Sequence, residues 1–312
     1  MKAGKKVVYA ALFANLAIAA LKLAGSLWTG SSAMLSEAIH SGVDTGNQGL
    51  LLYGGWRASR PADAGHPFGY GMELFFWGFV VALLIFSFGG ALSIYEGILK
   101  ISNPEPISDP WINFAILGAA FLFEGYSLRL AWREISRAYP NRSTYSAVRA
   151  SKDPSIFVIV MEDTAALAGL TIAAVGLVMA FWFDAPVFDG YASIAIGVLL
   201  LGTAVVLARE TRSLLTGESA SRRVLDVVRK RLCDDRRVES IREVLSLQMG
   251  ADAIMLAATL QFRPGLPAEE IVSALKELAA DVEQSCPEII RAFLRPSAMS
   301  PGTGLPPASE RY

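Results

Sequence analysis

Glu37, His40, Asp44 and Asn47 stand in the run SEAIHSGVDTGNQ, at steps of three, four and three residues. On a helix that spacing puts all four on one stripe. The run lies inside an apolar stretch from Ala33 to Trp56. Ionisable groups in such a stretch are costly, so they face a partner or a water-filled path. An imidazole one helical turn from a carboxylate suits a divalent transition metal. A polar helix–helix contact in which His40 and Asp44 satisfy each other uses the same two residues. This stretch alone leaves both readings open.

A second acidic site moves the balance. Glu162 and Asp163 stand in VMEDTAALAG, and no charge follows from Thr164 to Phe183. Asp44 lies ~18 Å of helix from Trp56, and Asp163 ~15 Å from Asp153. If both reference residues mark the same side of a membrane, the carboxylates sit at similar depth. Two helices that each bring a carboxylate to one level can share a cation. The alternative is that Glu162 or Asp163 pairs with a base. Lys22 is the one Lys or Arg in the middle of an apolar segment, so such pairing is poorly supplied. The chain has 2 histidines, His40 and His66, so any histidine-based metal site must use one of them.

The elements that must position these groups are six apolar segments, each long enough for ~30 Å of hydrocarbon. They run approximately over 7–28, 33–56, 74–99, 111–132, 155–183 and 187–208. Five tryptophans, Trp28, Trp56, Trp111, Trp132 and Trp182, fall near segment ends, where amphipathic rings prefer the interface. The chain is 53% hydrophobic and 18% charged, with mean hydropathy +0.41. That excludes an ordinary soluble domain. A net charge of −1 gives no reason to expect nucleic acid. Cys233 and Cys286 form no CxxC pair. Lys2, Lys5 and Lys6 precede a segment too long for a signal-peptide core, so it reads as a first span.

Lys and Arg set the orientation. They crowd the N-terminus, the second connection (Arg57, Arg60) and the fourth (Arg133, Arg137, Arg142, Arg149, Lys152). The N-terminus, these two connections and everything after Arg209 are therefore expected in the cytoplasm. From Arg209 the composition turns soluble, with the order helix, strand, strand, helix, strand up to residue 296. Ile254, Leu256, Ala258, Leu260 and Phe262 alternate as one buried strand face. This order suits a small open sheet with helices on one face. The expected division is a membrane domain over 1–208, a small α+β domain over 209–296 and a disordered tail over 297–312.

The motifs together resemble the cation diffusion facilitator family, and most closely its zinc transporter 9-like branch. The resemblance covers residues 7–296. It is carried by SSAMLSEAIHSGVDTGNQ, HPFGYGMELFFWGFVVALLIFSFGGALSIYEG, EGYSLR and EDTAALAG, in the family's order. It implies a six-helix transmembrane bundle, a cytoplasmic ferredoxin-like αββαβ domain and a homodimer. It also implies export of a divalent metal, usually Zn2+, in exchange for protons. The metal is cargo, and no cofactor is expected. His40 and Asp44 match the family's pair on helix two, and Asp163 matches its aspartate on helix five. The histidine usual four residues before that aspartate is replaced by Ile159. Glu162 lies ~60° around the helix from position 159 and could supply the missing ligand. A site of His40, Asp44, Glu162 and Asp163 is richer in carboxylate than the family's, so Mn2+, Fe2+ or Co2+ compete more seriously with Zn2+. Asn47 is a weaker candidate.

Asp63 and His66 match a loop metal site of some members, but Tyr70 stands where a second histidine is expected, so that site reads as vestigial. The small domain has no histidine, which points to dimerisation rather than metal sensing. Glu124 is expected to be buried, in a structural role more than in proton traffic. Glu37 is expected to be solvated near an interface, and Lys22 to snorkel to one. With no Walker A loop, ATP is not the expected energy source. The rival classes are a membrane-embedded metalloenzyme, for which no HExxH helix motif is found, and a non-transporting subunit of the same fold. A multi-pass protein of a bacterial inner membrane, not an enzyme, is the expectation carried forward.

Overall fold

The computed structural model describes residues 2–138 and 154–297. Among them are six helices of 27 to 30 residues: α1 (Lys2–Thr29), α2 (Ser32–Ala58), α3 (Glu73–Ser102), α4 (Pro110–Ala138), α5 (Pro154–Trp182) and α6 (Val187–Leu215). The Asp153 cap, Arg142, Arg149, Lys152 and the tail from 298 lie outside the described residues, as do the side chains of Lys2, Lys5, Lys6 and Arg137.

Four of the described helices are long and apolar enough to cross a membrane: α3, α4 over Pro110–Arg133, α5 over Phe157–Trp182, and α6. Helix α2 is not among them, because the polar stripe that makes it interesting lowers its hydropathy. Helix α3 widens to a π-helix over Val81–Phe86, a departure often found at functional sites. All five end-of-segment tryptophans are exposed, with Trp111 and Trp182 at 71% and 80%. That is where lipid-interface rings should be.

The chain divides into two units. The first holds α1 to α5 and α6 as far as Arg212. In it α2 packs against α1, α3 and α5, and α4 packs against α1 and α5. Small residues bring α3 and α6 into backbone contact. A Cβ on Gly97 would fall 2.6 Å from Gly190 O, and one on Gly197 2.6 Å from Gly90 O. Glycine pairs of this kind let helices approach where hydrocarbon supplies no hydrophobic drive. Gly97→Leu should therefore cost ~3 kcal/mol or more. Gly118→Ala, which meets open space, should be close to neutral. Thermal melts in detergent would compare them, and equal melting would refute this crossing.

The second unit begins at Ser213 and also takes in Pro61–Met72. It contains α7 (Arg222–Asp234), β1 (Val238–Gly250), β2 (Ala253–Phe262), α8 (Ala268–Ser285) and β3 (Ile289–Pro296). The sheet order is β1-β2-β3, antiparallel then parallel. The alternation read from the sequence holds along β2: Ile254, Leu256, Ala258, Leu260 and Phe262 are all buried. They pack with Val228 and Leu232 of α7 and with Ala274, Leu278 and Val282 of α8. Strand β3 differs in one detail. An irregularity between Ile254 and Met255 pairs Ile254 with Ile289 and Met255 with Arg291. Ile289 is thereby buried, and Ile290, which strict alternation with the half-buried Ala292 and Leu294 would turn inward, is 41% exposed.

The segment 61–72 belongs here by packing. The Phe68 ring meets Phe293 edge-on at 6.5 Å, and Gly71 lies against the backbone of Met249 and Gly250.

Candidate metal centre

Helix α2 is held along its length before any cargo is considered. At its N-terminus Ser31 is the N-cap: its hydroxyl accepts from Met34 N at 3.1 Å and donates to Asp189 Oδ1 at 2.6 Å. Asp189 Oδ2 accepts from Ser32 N at 2.6 Å and from Ser32 Oγ at 3.0 Å. The carboxylate of α6 thus serves the free N–H groups and the positive dipole end of α2. Gly30 turns the chain between α1 and α2 at φ 70°, and its carbonyl accepts from Lys100 Nζ at 2.6 Å. Ser36 Oγ meets Ser193 Oγ, which in turn donates to Ser93 O at 2.8 Å. At the far end Arg57 Nη2 reaches Glu73 Oε1 at 2.7 Å.

Between these anchors the polar stripe is buried. Glu37, His40, Asp44 and Asn47 are at most 7% exposed, and the first and last are fully inaccessible. His40 Nδ1 and Asp44 Oδ1 are 3.6 Å apart, too far for a hydrogen bond. Neither His40 nitrogen, nor Asp44 Oδ1, nor either polar atom of the Asn47 side chain has a hydrogen-bond partner. Across from them on α5, Glu162 is 3% and Asp163 9% exposed, and Glu162 Oε1 is also without a partner. Asp163 Oδ2 accepts from Ser127 Oγ of α4 at 2.9 Å. Asp44, Glu124, Glu162 and Asp163 lie close enough to act on one another's charge. Among the described residues, no three His, Cys, Asp or Glu side chains stand close enough together to hold a metal ion. His40 and Asp44 are the near pair. Glu162 and Asp163 flank them from α5 without completing a cage.

Gly169 explains how α2 and α5 come so close. A Cβ there would collide with Glu37 Oε1 and come within 4.0 Å of the His40 ring.

Two expectations are corrected. Lys22 does not snorkel, and Glu37 is not solvated: both side chains are fully buried, paired at 3.0 Å. Lys22 Nζ also donates to Ser41 Oγ at 2.8 Å. The reason is α1 packing along α2, which supplies each charge with its counter-charge inside the bundle. Ser127 was not anticipated either, and a lone serine on an apolar helix gives no signal for it. Glu124 is buried as expected, at 7%.

The loop residues do something else. Asp63 Oδ1 accepts from Gly65 N at 2.9 Å and His66 N at 2.8 Å, and Oδ2 accepts from Tyr70 OH at 2.7 Å. The Tyr70 hydroxyl, with the backbone donors, holds the Asp63 carboxyl below its usual range. His66 lies over Tyr70 with ring centroids 4.0 Å apart. Asp63 is thus engaged as the anchor of a turn.

The sequence profile of the cation efflux transmembrane domain matches residues 8–216. The chain belongs to the cation efflux, or cation diffusion facilitator, family. Its matches include the mitochondrial proton-coupled zinc antiporter SLC30A9 of Xenopus laevis, 33% identical over 84% of this chain and 47% of that protein. The Homo sapiens SLC30A9 is 30% identical over 93% of the chain and 52% of its own length. Metal tolerance protein C4 of Arabidopsis thaliana is 32% identical over 83% and 57%. The chain thus spans about half the length of these relatives. It is a multi-pass membrane protein of a family of cation transporters, not enzymes.

Proposed function

We propose that this chain exports a divalent transition-metal ion, Zn2+ before Mn2+, Fe2+ or Co2+, in exchange for protons. It does so as a homodimer of six-span subunits with a ferredoxin-like cytoplasmic domain. The orientation follows from the basic connections, so cargo enters from the cytoplasm. The ligands are His40 and Asp44 of α2 with Glu162 and Asp163 of α5.

One observation carries this reading: buried polar atoms of His40, Asp44 and Asn47 on α2, and of Glu162 on α5 packed against it, have no hydrogen-bond partner. Each such atom costs about 1–3 kcal/mol if nothing ever satisfies it. A site that alternately holds protons and a metal ion satisfies them in turn. The lone pairs that bind a cation are those that bind a proton, so the two compete without any further residue. Loading requires α5 to bring its acids onto the His40–Asp44 pair, which fits helices that rock against each other. The relatives named as proton-coupled zinc antiporters support the same choice of cargo and coupling.

The test is competition among Zn2+, Mn2+, Fe2+, Co2+ and Cd2+ for uptake into reconstituted vesicles. Glu162→Gln should raise the apparent KM for zinc about tenfold and weaken manganese transport more. Manganese depends more on hard carboxylate oxygen. An unchanged metal ranking would remove Glu162 from the ligand set. Failure of every metal to drive proton movement would end the antiport reading.

A further inference from the structure

The buried Lys22–Glu37 pair has no place in the ligand set just described, yet it adjoins it. Glu37 is one turn from His40 on the same stripe. Ser41, which receives the second Lys22 bond, is the residue after His40. Glu37 Oε1 is unpartnered and, like the His40 ring, faces the bare backbone of Gly169. The Lys22 charge also reaches His40, Asp44 and Glu124. A permanent counter-ion is thus built into the wall of a site meant for cations. A stability role alone is a poor account of it, because apolar residues of similar volume serve a buried wall as well or better than an ion pair.

We infer that Lys22 sets the affinity of the site for its cargo. Its ammonium holds Glu37 out of the ligand set and opposes the incoming divalent charge, so that the metal is bound loosely enough to leave. A transporter needs this. A site with three carboxylates and an imidazole in low dielectric would otherwise hold a divalent ion too tightly for turnover. Lys22 donates to Glu37 and Ser41 rather than to a ligand, and it acts by holding Glu37 in place and through the field of its charge, as a positioning and charge-compensating residue. The inference rests on the proposed site at His40 and Asp44.

The experiment measures zinc affinity of the purified full chain in detergent, with a competing chelator dye, for four variants of the pair and for Asp44→Asn. K22M removes the opposing charge and frees Glu37, so zinc should bind about tenfold tighter and uptake into vesicles should slow. E37Q leaves the ammonium uncompensated, so zinc should bind about tenfold more weakly. K22M/E37Q removes both charges and should return to near wild type, and K22R should match wild type. A merely structural pair would lower melting temperature in both single variants without moving affinity in opposite directions. Unchanged affinity in folded K22M, or equal weakening in K22M and E37Q, overturns the inference. Should K22M not fold, the difference between E37Q and the double variant isolates the Lys22 charge, and no difference overturns it. Zinc binding that survives Asp44→Asn would instead overturn the site itself. Binding that Asp44→Asn abolishes but the Lys22 variants leave untouched would overturn only the role of Lys22.

Discussion

Vesicles carrying Asp44→Asn should take up zinc no faster than protein-free vesicles, while the purified variant melts at or above the wild-type temperature. The two halves of this result belong together. Asp44 Oδ1 is buried and without a hydrogen-bond partner, and it stands 3.6 Å from His40 Nδ1. A carboxylate so placed is a cost to the folded state and a gain to a bound cation. The amide keeps the volume, removes the buried charge and gives up the strong metal ligand. Stability–function trade-offs of this sign are usual at functional sites. If His40 and Asp44 were only a helix contact, the opposite pattern would appear: lower melting temperature and retained flux. Wild-type-like uptake by Asp44→Asn would remove the transport site from α2.

The second large effect is on stability. Asp189→Ala should lower the melting temperature in detergent by about 10 °C. Asp189 is fully buried at the first turn of α6 and serves the N-terminus of α2. Its removal strands the Ser31 and Ser32 hydroxyls and the Ser32 N–H, all within 3.0 Å of it. Losing one partner of such a set costs about 3–5 kcal/mol, because the other groups stay buried. For a chain of this size that is roughly 10 °C. Asp184 lies in the connection just before α6 and is exposed, so Asp184→Asn should stay within ~0.5 kcal/mol. Melting curves of the two variants side by side decide it. Equal shifts would mean that Asp189 does not fasten α2. Since α2 carries His40 and Asp44, Asp189→Ala should also reduce zinc flux, and restored flux at low temperature would mark that loss as structural.

Much of this protein was legible in residue order because the deciding physics is local. Spanning hydrocarbon needs length and apolar composition, so the six long helices follow from runs of side chains. The β2 face follows from its period of two, and the placing of His40, Asp44 and Asn47 on one stripe from a period near 3.6. The family motifs are likewise contiguous.

What the tertiary structure alone decided are partnerships between distant residues. Asp184 and Asp189 look alike in sequence, and only packing makes one of them a cap for a helix 157 residues away. Lys22 had nothing nearby to pair with, and the α1–α2 contact gave it Glu37. Ser127 meets Asp163 only because α4 lies against α5. Ile289 rather than Ile290 turns inward because a strand irregularity shifts the register. Local periodicity states which way a side chain points from its own helix or strand. Which counter-charge, hydroxyl or backbone it then meets depends on how elements far apart in the chain are packed, and no short stretch of residues contains that information.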